Sequence, residues 1–435
     1  VIFKLRNDFN RAFTSERYAA LRSMIEQRCG VEVEYRVAET PVFLPHSMLE
    51  TMASEGAELM HALLATPGYL AAARQAIPAG YEISGDTAHP NFLTADFALV
   101  RDESDALVPR LVEIQAFPSV FGYQDVLCSS YRDVFALPDS LGYYLSGLDE
   151  TGYWSLLGQT ILGGHPAENV VLLELDPFHQ KTLPDFLVTS RRLGIAIVDI
   201  RRLEPIGDKL HYRNAEGRLI PIHRIYNRTI ADELMARRIQ LPFDLTHAWQ
   251  VEWAGHPNWY FLVSKFSIPW LSRPASDSGD ALSSRHPVVP PAVFLDDFLE
   301  GPGRDALAAA GVPLAGNAGP ETIYTELLLK PLFSFAGKGI QFDPTQGELE
   351  AIPREKRGEL LLQRRMRFEH TIETPCGLTQ AEIRILYVWP DGGSLTPAIS
   401  LVRLGRGKMM GVDHNRNQDW VGASAAFFPR DHSVQ

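Results

Sequence analysis

The stretch from Val170 to Ile200 constrains the fold more than any other part of the chain. VVLLEL is a short apolar run of strand length. TLPDFLVTSRRLG follows with the spacing of an amphipathic helix, and Gly194 stands where a C-cap is needed. IAIVDI is then a second apolar run. Strand, helix, strand is a βαβ unit, which implies a parallel pair and an α/β layer arrangement. KLHYRNAEGRLIPIHRIYN continues as a hairpin with AEG at its turn, followed by another strand.

Around this unit the chain is long. Its 435 residues exceed one ordinary core, so two or three packed units are expected. A hydrophobic content of 45% and a charged content of 22% are those of a soluble globular protein. No apolar run nears the roughly 20 residues of a membrane helix. The net charge of −12 argues against a broad polyanion-binding surface while leaving room for a local basic pocket. Cys29, Cys128 and Cys376 lack metal-ligand spacing, and so few cysteines fit a reducing cytoplasm. The thirteen histidines form no HExxH or HxH cluster. VIFKLRNDFNRAF is charged and does not read as a signal peptide; without an initiator Met, the natural N-terminus is expected upstream.

Residues 10–80 read as mostly helical, with apolar residues at helical spacing in ERYAALRSMIEQR and HSMLETMASEGAELMHALLA. Residues 91–102 and 110–117 read as two strands joined by a polar turn, and 124–160 as a third helical region. SRPASDSGDALSSRHPVVPP (272–291) reads as a mobile loop or linker.

Within RLVEIQAFPSVFGYQ, Glu113 and Gln115 are two apart on a strand and project from one face of an apolar run. Burying either group without a partner is costly, so each must meet something. For Glu113, and for Asp96 on the neighbouring strand, one answer is an internal arginine.

TELLLKPLFSFAGKGIQF (325–342) reads as strand, loop, strand. Lys330 ends the apolar run, and the loop carries Gly337, Lys338 and Gly339. Glycines let backbone N–H groups approach an anion, and a strand-end lysine offers a point charge for phosphate. Neither a Walker A loop nor a Rossmann fingerprint is present. Taken alone, the string equally describes a hairpin with a solvated lysine. Further on, GELLLQRRM ends a strand at Gln363, AEIRILYVW aligns Arg384 with Glu382, and RLGRG carries Arg403 and Arg406 ahead of Asn415 and the GASAA loop.

These strings resemble an ATP-grasp module. EIQAFPSVFG resembles the metal-binding ExN strand and turn of eukaryotic-type glutathione synthetase and of glutathionylspermidine synthase. IYNR (225–228) and LVSKF (262–266) resemble their substrate-arginine and first-lysine motifs. Five segments, from about residue 91 to 428, follow the family order, with the ExN strand early and the lysines late. The resemblance implies a circularly permuted ATP-grasp fold of α/β class. Its units would be a helical N-terminal region with the metal strand (1–165), a Rossmann-like parallel-sheet substrate domain (166–271) and nucleotide-binding lobes (272–435).

The same resemblance implies site residues and chemistry. Lys265 and Lys330 would contact ATP phosphates, Lys338 would ride a flap formed with Gly337 and Gly339, and Gln363 would stand at the adenine hinge. Asp96, Glu113 and Gln115 would bind Mg²⁺, and Asn415 would either ligate that metal or orient the acyl phosphate. Arg228 would anchor substrate, while Arg384 and Arg403 would stabilise charge in phosphoryl transfer. Ser334 stands where the glutathione synthetases carry a further metal-binding Glu, and Gln115 where they carry Asn. The implied activity is an ATP-dependent carboxylate–amine ligase acting through an acyl phosphate. Its expected partners are a small carboxylate and an amine, without nucleic acid or membrane, and with a homodimer left open. The expected location is the cytoplasm. Two other readings are a phosphotransferase of the same fold and a nucleotide binder without turnover.

Overall fold

In the computed structural model the βαβ unit forms as its sequence predicts. The structure describes residues 1–273, 286–316, 318–333, 339–408, 410 and 417–430. Strands Val170–Glu174 and Ala196–Asp199 pair in parallel across helix Leu183–Leu193. Pro184 sits in the first turn, Arg191 and Arg192 in the last, and Gly194 closes the helix at φ +72. Arg224–Asn227 and Glu252–Ala254 complete a four-stranded sheet in which every pairing is parallel. The hairpin Lys209–Arg213 with Leu219–Pro221 stands beside it.

The largest sheet joins both ends of the chain. Its order is Val42–Phe43, Gly422–Pro429, Thr396–Gly405, Gly377–Val388, Phe92–Arg101, Leu107–Gln115. Pairing is antiparallel apart from the first pair. The 272–435 stretch is therefore divided: its last three long strands lie in the sheet that carries Glu113. A separate antiparallel sheet holds Ala292–Phe294, Leu360–Arg364, Leu327–Pro331 and Gln341–Phe342.

Alternation along the strands gives the large sheet two unlike faces. Ala95, Phe97, Ile383, Ile385 and Val402 pack under helix His46–Ala65. The opposite face is split. Phe92, Leu386, Val388, Ile399 and Leu401 share one core with helix Phe121–Phe135 and with Val170, Leu172 and Tyr226 of the parallel sheet. Further along the same strands come Asp96, Arg384, Glu382 and Arg403. Helix Phe121–Phe135 approaches the parallel unit closely. A Cβ on Gly122 would stand 2.6 Å from Thr189 Oγ1, and Tyr123 N–H donates to Asp185 at 3.0 Å. The small antiparallel sheet has its own core, from Val293 and Leu295 to Leu349 and Leu362.

The helical expectation for 124–160 resolves into Phe121–Phe135 and Glu150–Leu162, separated by a loop. Much of the expected 272–291 linker, together with Ser334, Gly337, Lys338 and Asn415, lies outside the described residues. Among the described residues no helix is long and apolar enough to cross a membrane.

Candidate functional site

Cross-strand register assembles the charged patch. Asp96 pairs with Glu113 on one side and Arg384 on the other, and Glu382 pairs with Arg403. Side chains opposite each other in adjacent strands share a face, so residues from four strands meet in two neighbouring rows of one face, Glu113–Asp96–Arg384 and Glu382–Arg403. Arg384 holds Asp96 in a bidentate pair, Nε to Oδ1 at 2.5 Å and Nη2 to Oδ2 at 2.6 Å. Arg403 Nη1 donates to the same Oδ2 at 3.2 Å and also to Glu382. Asp96 is 1% exposed, so this is a buried ion network.

Glu113 is held more loosely. Its Oε2 is 3.3 Å from Lys265 Nζ and its Oε1 3.6 Å from Arg384 Nη2. Burial pushes its carboxyl up, but Lys265, Arg384, Arg403 and Lys330 outweigh that and hold it down at about 2. Lys330 reaches the same place from the small antiparallel sheet. Burial brings its ammonium down to about 8, against the pull of Glu113 and Glu382. Lys330 Nζ donates to Gln363 Oε1 at 2.6 Å across the strand pair. That fixes the amide orientation, and Gln363 Nε2, fully buried, then has no partner among the described residues.

Four expected residues therefore meet with Glu113: Lys265, Lys330, Arg384 and Arg403. Asp96 and Gln363 join them in other roles than expected. Asp96 is the counter-ion of an internal arginine, the other answer its sequence allowed. Gln363 holds Lys330. Lys265 lies not on a strand but in the turn between helices Trp259–Leu262 and Ser267–Leu271. Gln115 lines a small pocket with Phe117, Tyr260, Lys265 and Phe333. Gly339 adopts φ +79, where its missing Cβ leaves room for Pro331, 2.8 Å from the position a Cβ would take.

Arg228 stands apart. It is buried against Asp185, with its guanidinium 4.8 Å from the Phe186 ring centroid, and among the described residues none of its ion pairs or hydrogen bonds reaches the cluster. The reason is local: the chain leaves strand Arg224–Asn227 beside helix Leu183–Leu193, where Asp185 needs a cation. The sequence reading missed Tyr260 and Asp232, which bond at 2.8 Å beside Lys265 and gave no motif to find them by. Glu382 was within reach, since it shares a face with Arg384.

The expected Mg²⁺ can be tested against the donors present. Both oxygens of Asp96 and both of Glu113 face cations of this chain. Among the described residues no group of three His, Cys, Asp or Glu is placed to hold a metal. The donor set does not fit a metal centre built on Asp96, Glu113 and Gln115. It does fit an anion: four cations converge where one loosely held carboxylate now stands.

No protein-family model matches the sequence, and no curated protein matches it. Among solved structures the chain is similar to a glutathione synthetase like-effector (GSS30) from Globodera pallida, in apoform. Identity is 11%, covering 95% of this chain and 96% of that one, with a TM-score of 0.56. It is also similar, at 13% identity over 85% of each chain and a TM-score of 0.35, to a protein described as a gamma-glutamylcysteine synthetase from Methylobacillus flagellatus KT; that overlap bears no argument. The first likeness shows the fold alone: the chain shares that protein's mixed α/β architecture over nearly its whole length.

Proposed function

We propose that this protein is an ATP-dependent carboxylate–amine ligase. The observation that carries the reading is the convergence of Lys265, Lys330, Arg384 and Arg403 on Glu113, from three separate parts of the chain. Cations converging on one loosely held carboxylate are suited to a phosphate chain and to the charge that develops when a phosphoryl group moves. ATP would phosphorylate a substrate carboxylate, and an amine would displace phosphate from the acyl phosphate to form an amide. Lys265 and Lys330 would bind the phosphates, and Arg384 and Arg403 would stabilise the transferring group. Gly337 and Lys338, outside the described residues, would by the family resemblance contribute to phosphate binding. Asn415, in the same reading, orients the acyl group. The unit at 166–271 would hold the acceptor through groups other than Arg228, which is committed to Asp185.

The meeting of an early strand, with Glu113, and a late one, with Lys330, supports the circularly permuted form of the fold. ATP-grasp enzymes typically use ATP with Mg²⁺; no step is assigned to the metal here, because the carboxylates that would bind it face cations of the chain. A screen of carboxylates paired with amines tests the reading, with ADP release followed by coupled assay and product by mass spectrometry. An amide product formed with ADP supports the ligase. ADP release with a phosphorylated product and no C–N bond would replace it with a phosphotransferase. Nucleotide binding without turnover would replace it with a binding protein.

A further inference from the structure

The mismatch between the donor set and a metal centre has a positive side. We infer that this site binds a phosphate chain without a divalent cation, its own Arg384, Arg403, Lys265 and Lys330 doing the neutralising. The inference rests on the reading that the site receives nucleotide phosphates.

Three observations carry it. First, four cations from separate elements gather at one place, and their carboxylates lie to the sides: Asp96 and Glu382 on the Arg384 and Arg403 strands, Asp232 beside Lys265, with Glu113 between. An entering anion that displaces Glu113 meets those cations directly. Second, the carboxylates are not equal. Asp96 is bound to Arg384 through both oxygens and to Arg403 through one, and Glu382 is bound to Arg403. Turning Asp96 toward a metal would leave a buried guanidinium without its anion, a strongly unfavourable outcome. Glu113 alone has only longer contacts, so it can yield Lys265 and Arg384 to a stronger anion. Third, Gln363 Nε2 is buried beside Lys330 and without a partner among the described residues. It is a donor, so it calls for an acceptor such as a phosphate oxygen and not for a cation.

Glu113 is, on this account, the stand-in for the ligand: an internal anion that keeps the cations in place until phosphate displaces it. That gives it the opposite mutational signature from a metal ligand. A metal-binding glutamate helps nucleotide bind, and its loss weakens binding. A competing carboxylate hinders binding, and its loss strengthens it.

The test is calorimetric titration of the full chain with ADP and with pyrophosphate, in excess EDTA and in excess MgCl₂. Affinities within about twofold of each other in the two buffers support the inference. Binding at least about tenfold tighter with Mg²⁺, or seen only with it, overturns the inference and leaves the nucleotide site standing. Absence of binding in both buffers overturns the site reading as well. Glu113→Gln, compared in EDTA, is expected to bind pyrophosphate about tenfold more tightly; weaker binding by a folded variant counts against the inference. Should that variant not fold, the wild-type comparison alone still decides.

Discussion

Two buried arginine–aspartate pairs, one on the central sheet and one between the parallel sheet's edge and its helix, behave as opposites. Arg228 and Asp185 form a closed unit. Both are within 3% of full burial, aromatic rings flank the guanidinium, and Asp185 also accepts the Tyr123 N–H. Arg384 and Asp96 are buried to a similar degree but belong to a network shared with Arg403, Glu382 and Glu113. The chemistry of the pair is the same in both places. What differs is that one pair is closed on itself while the other borders Glu113, a loosely held carboxylate that the proposed ligand would displace.

The largest effect is expected at the closed pair. Arg228→Leu strands a buried carboxylate and should cost about 3–5 kcal/mol by denaturant unfolding. The double variant with Asp185→Asn should recover much of that, and any folded fraction should bind pyrophosphate as the wild type does. A stable Arg228→Leu protein with lost binding would invert the comparison.

Next in size is Glu113. Its folded carboxyl is held at about 2, below the ordinary range, so it adds stability above its unfolded value that is lost as pH falls toward about 2. Glu113→Gln should remove roughly 3 kcal/mol near neutrality and flatten the acid limb of the stability profile. It should do so while strengthening phosphate binding, a combination that no closed pair can show.

Lys330→Ala should leave a folded protein with at least about tenfold weaker ATP binding, or 1.4 kcal/mol, read by titration. Unchanged affinity would return the Leu327–Phe342 hairpin to a purely structural role.

The smallest effect is a pH dependence. The folded Lys330 ammonium titrates at about 8, below its free value, because it is buried. Raising pH through about 8 therefore removes a charge that phosphate needs, and affinity should fall severalfold. Lys330→Arg should abolish that slope, since a guanidinium stays charged. Stability runs the other way: the unfolded chain binds this proton more tightly, so the folded state gains as pH rises above about 8.

Much of this was legible in the chain. The βαβ unit declared itself through apolar runs of strand length and a glycine C-cap. Glu113 and Arg384 were legible because period-two alternation puts charges on one face of otherwise apolar strands, Lys330 because it ends an apolar run, and Arg403 because it stands beside the glycine of RLGRG. The fate of Asp96 was not. A carboxylate on a buried face suits a metal or an arginine equally well, and only the register against Gly377–Val388 decides between them. Arg228 misled for a similar reason. IYNR carries no trace of Asp185, which lies 43 residues earlier and meets it only when strand and helix pack. Tyr260 and Asp232 come together through tertiary packing alone.

Gly122 has a mechanical consequence. With no side chain there, the start of helix Phe121–Phe135 presses against Thr189 and Trp154, and one continuous core runs from the central sheet into the parallel one. Those two sheets are riveted, and neither can swing away from the other without tearing that core. The small antiparallel sheet carrying Lys330 and Gln363 has a core of its own. It joins the rest through the Leu111–Val288 and Ser272–Ala292 hydrogen bonds and through Ala292, whose side chain enters the core beneath the central sheet. If the proposed site opens to admit a nucleotide, the small sheet with Lys330 would be its moving jaw, and Glu113, Arg384 and Arg403 would be set in the fixed one.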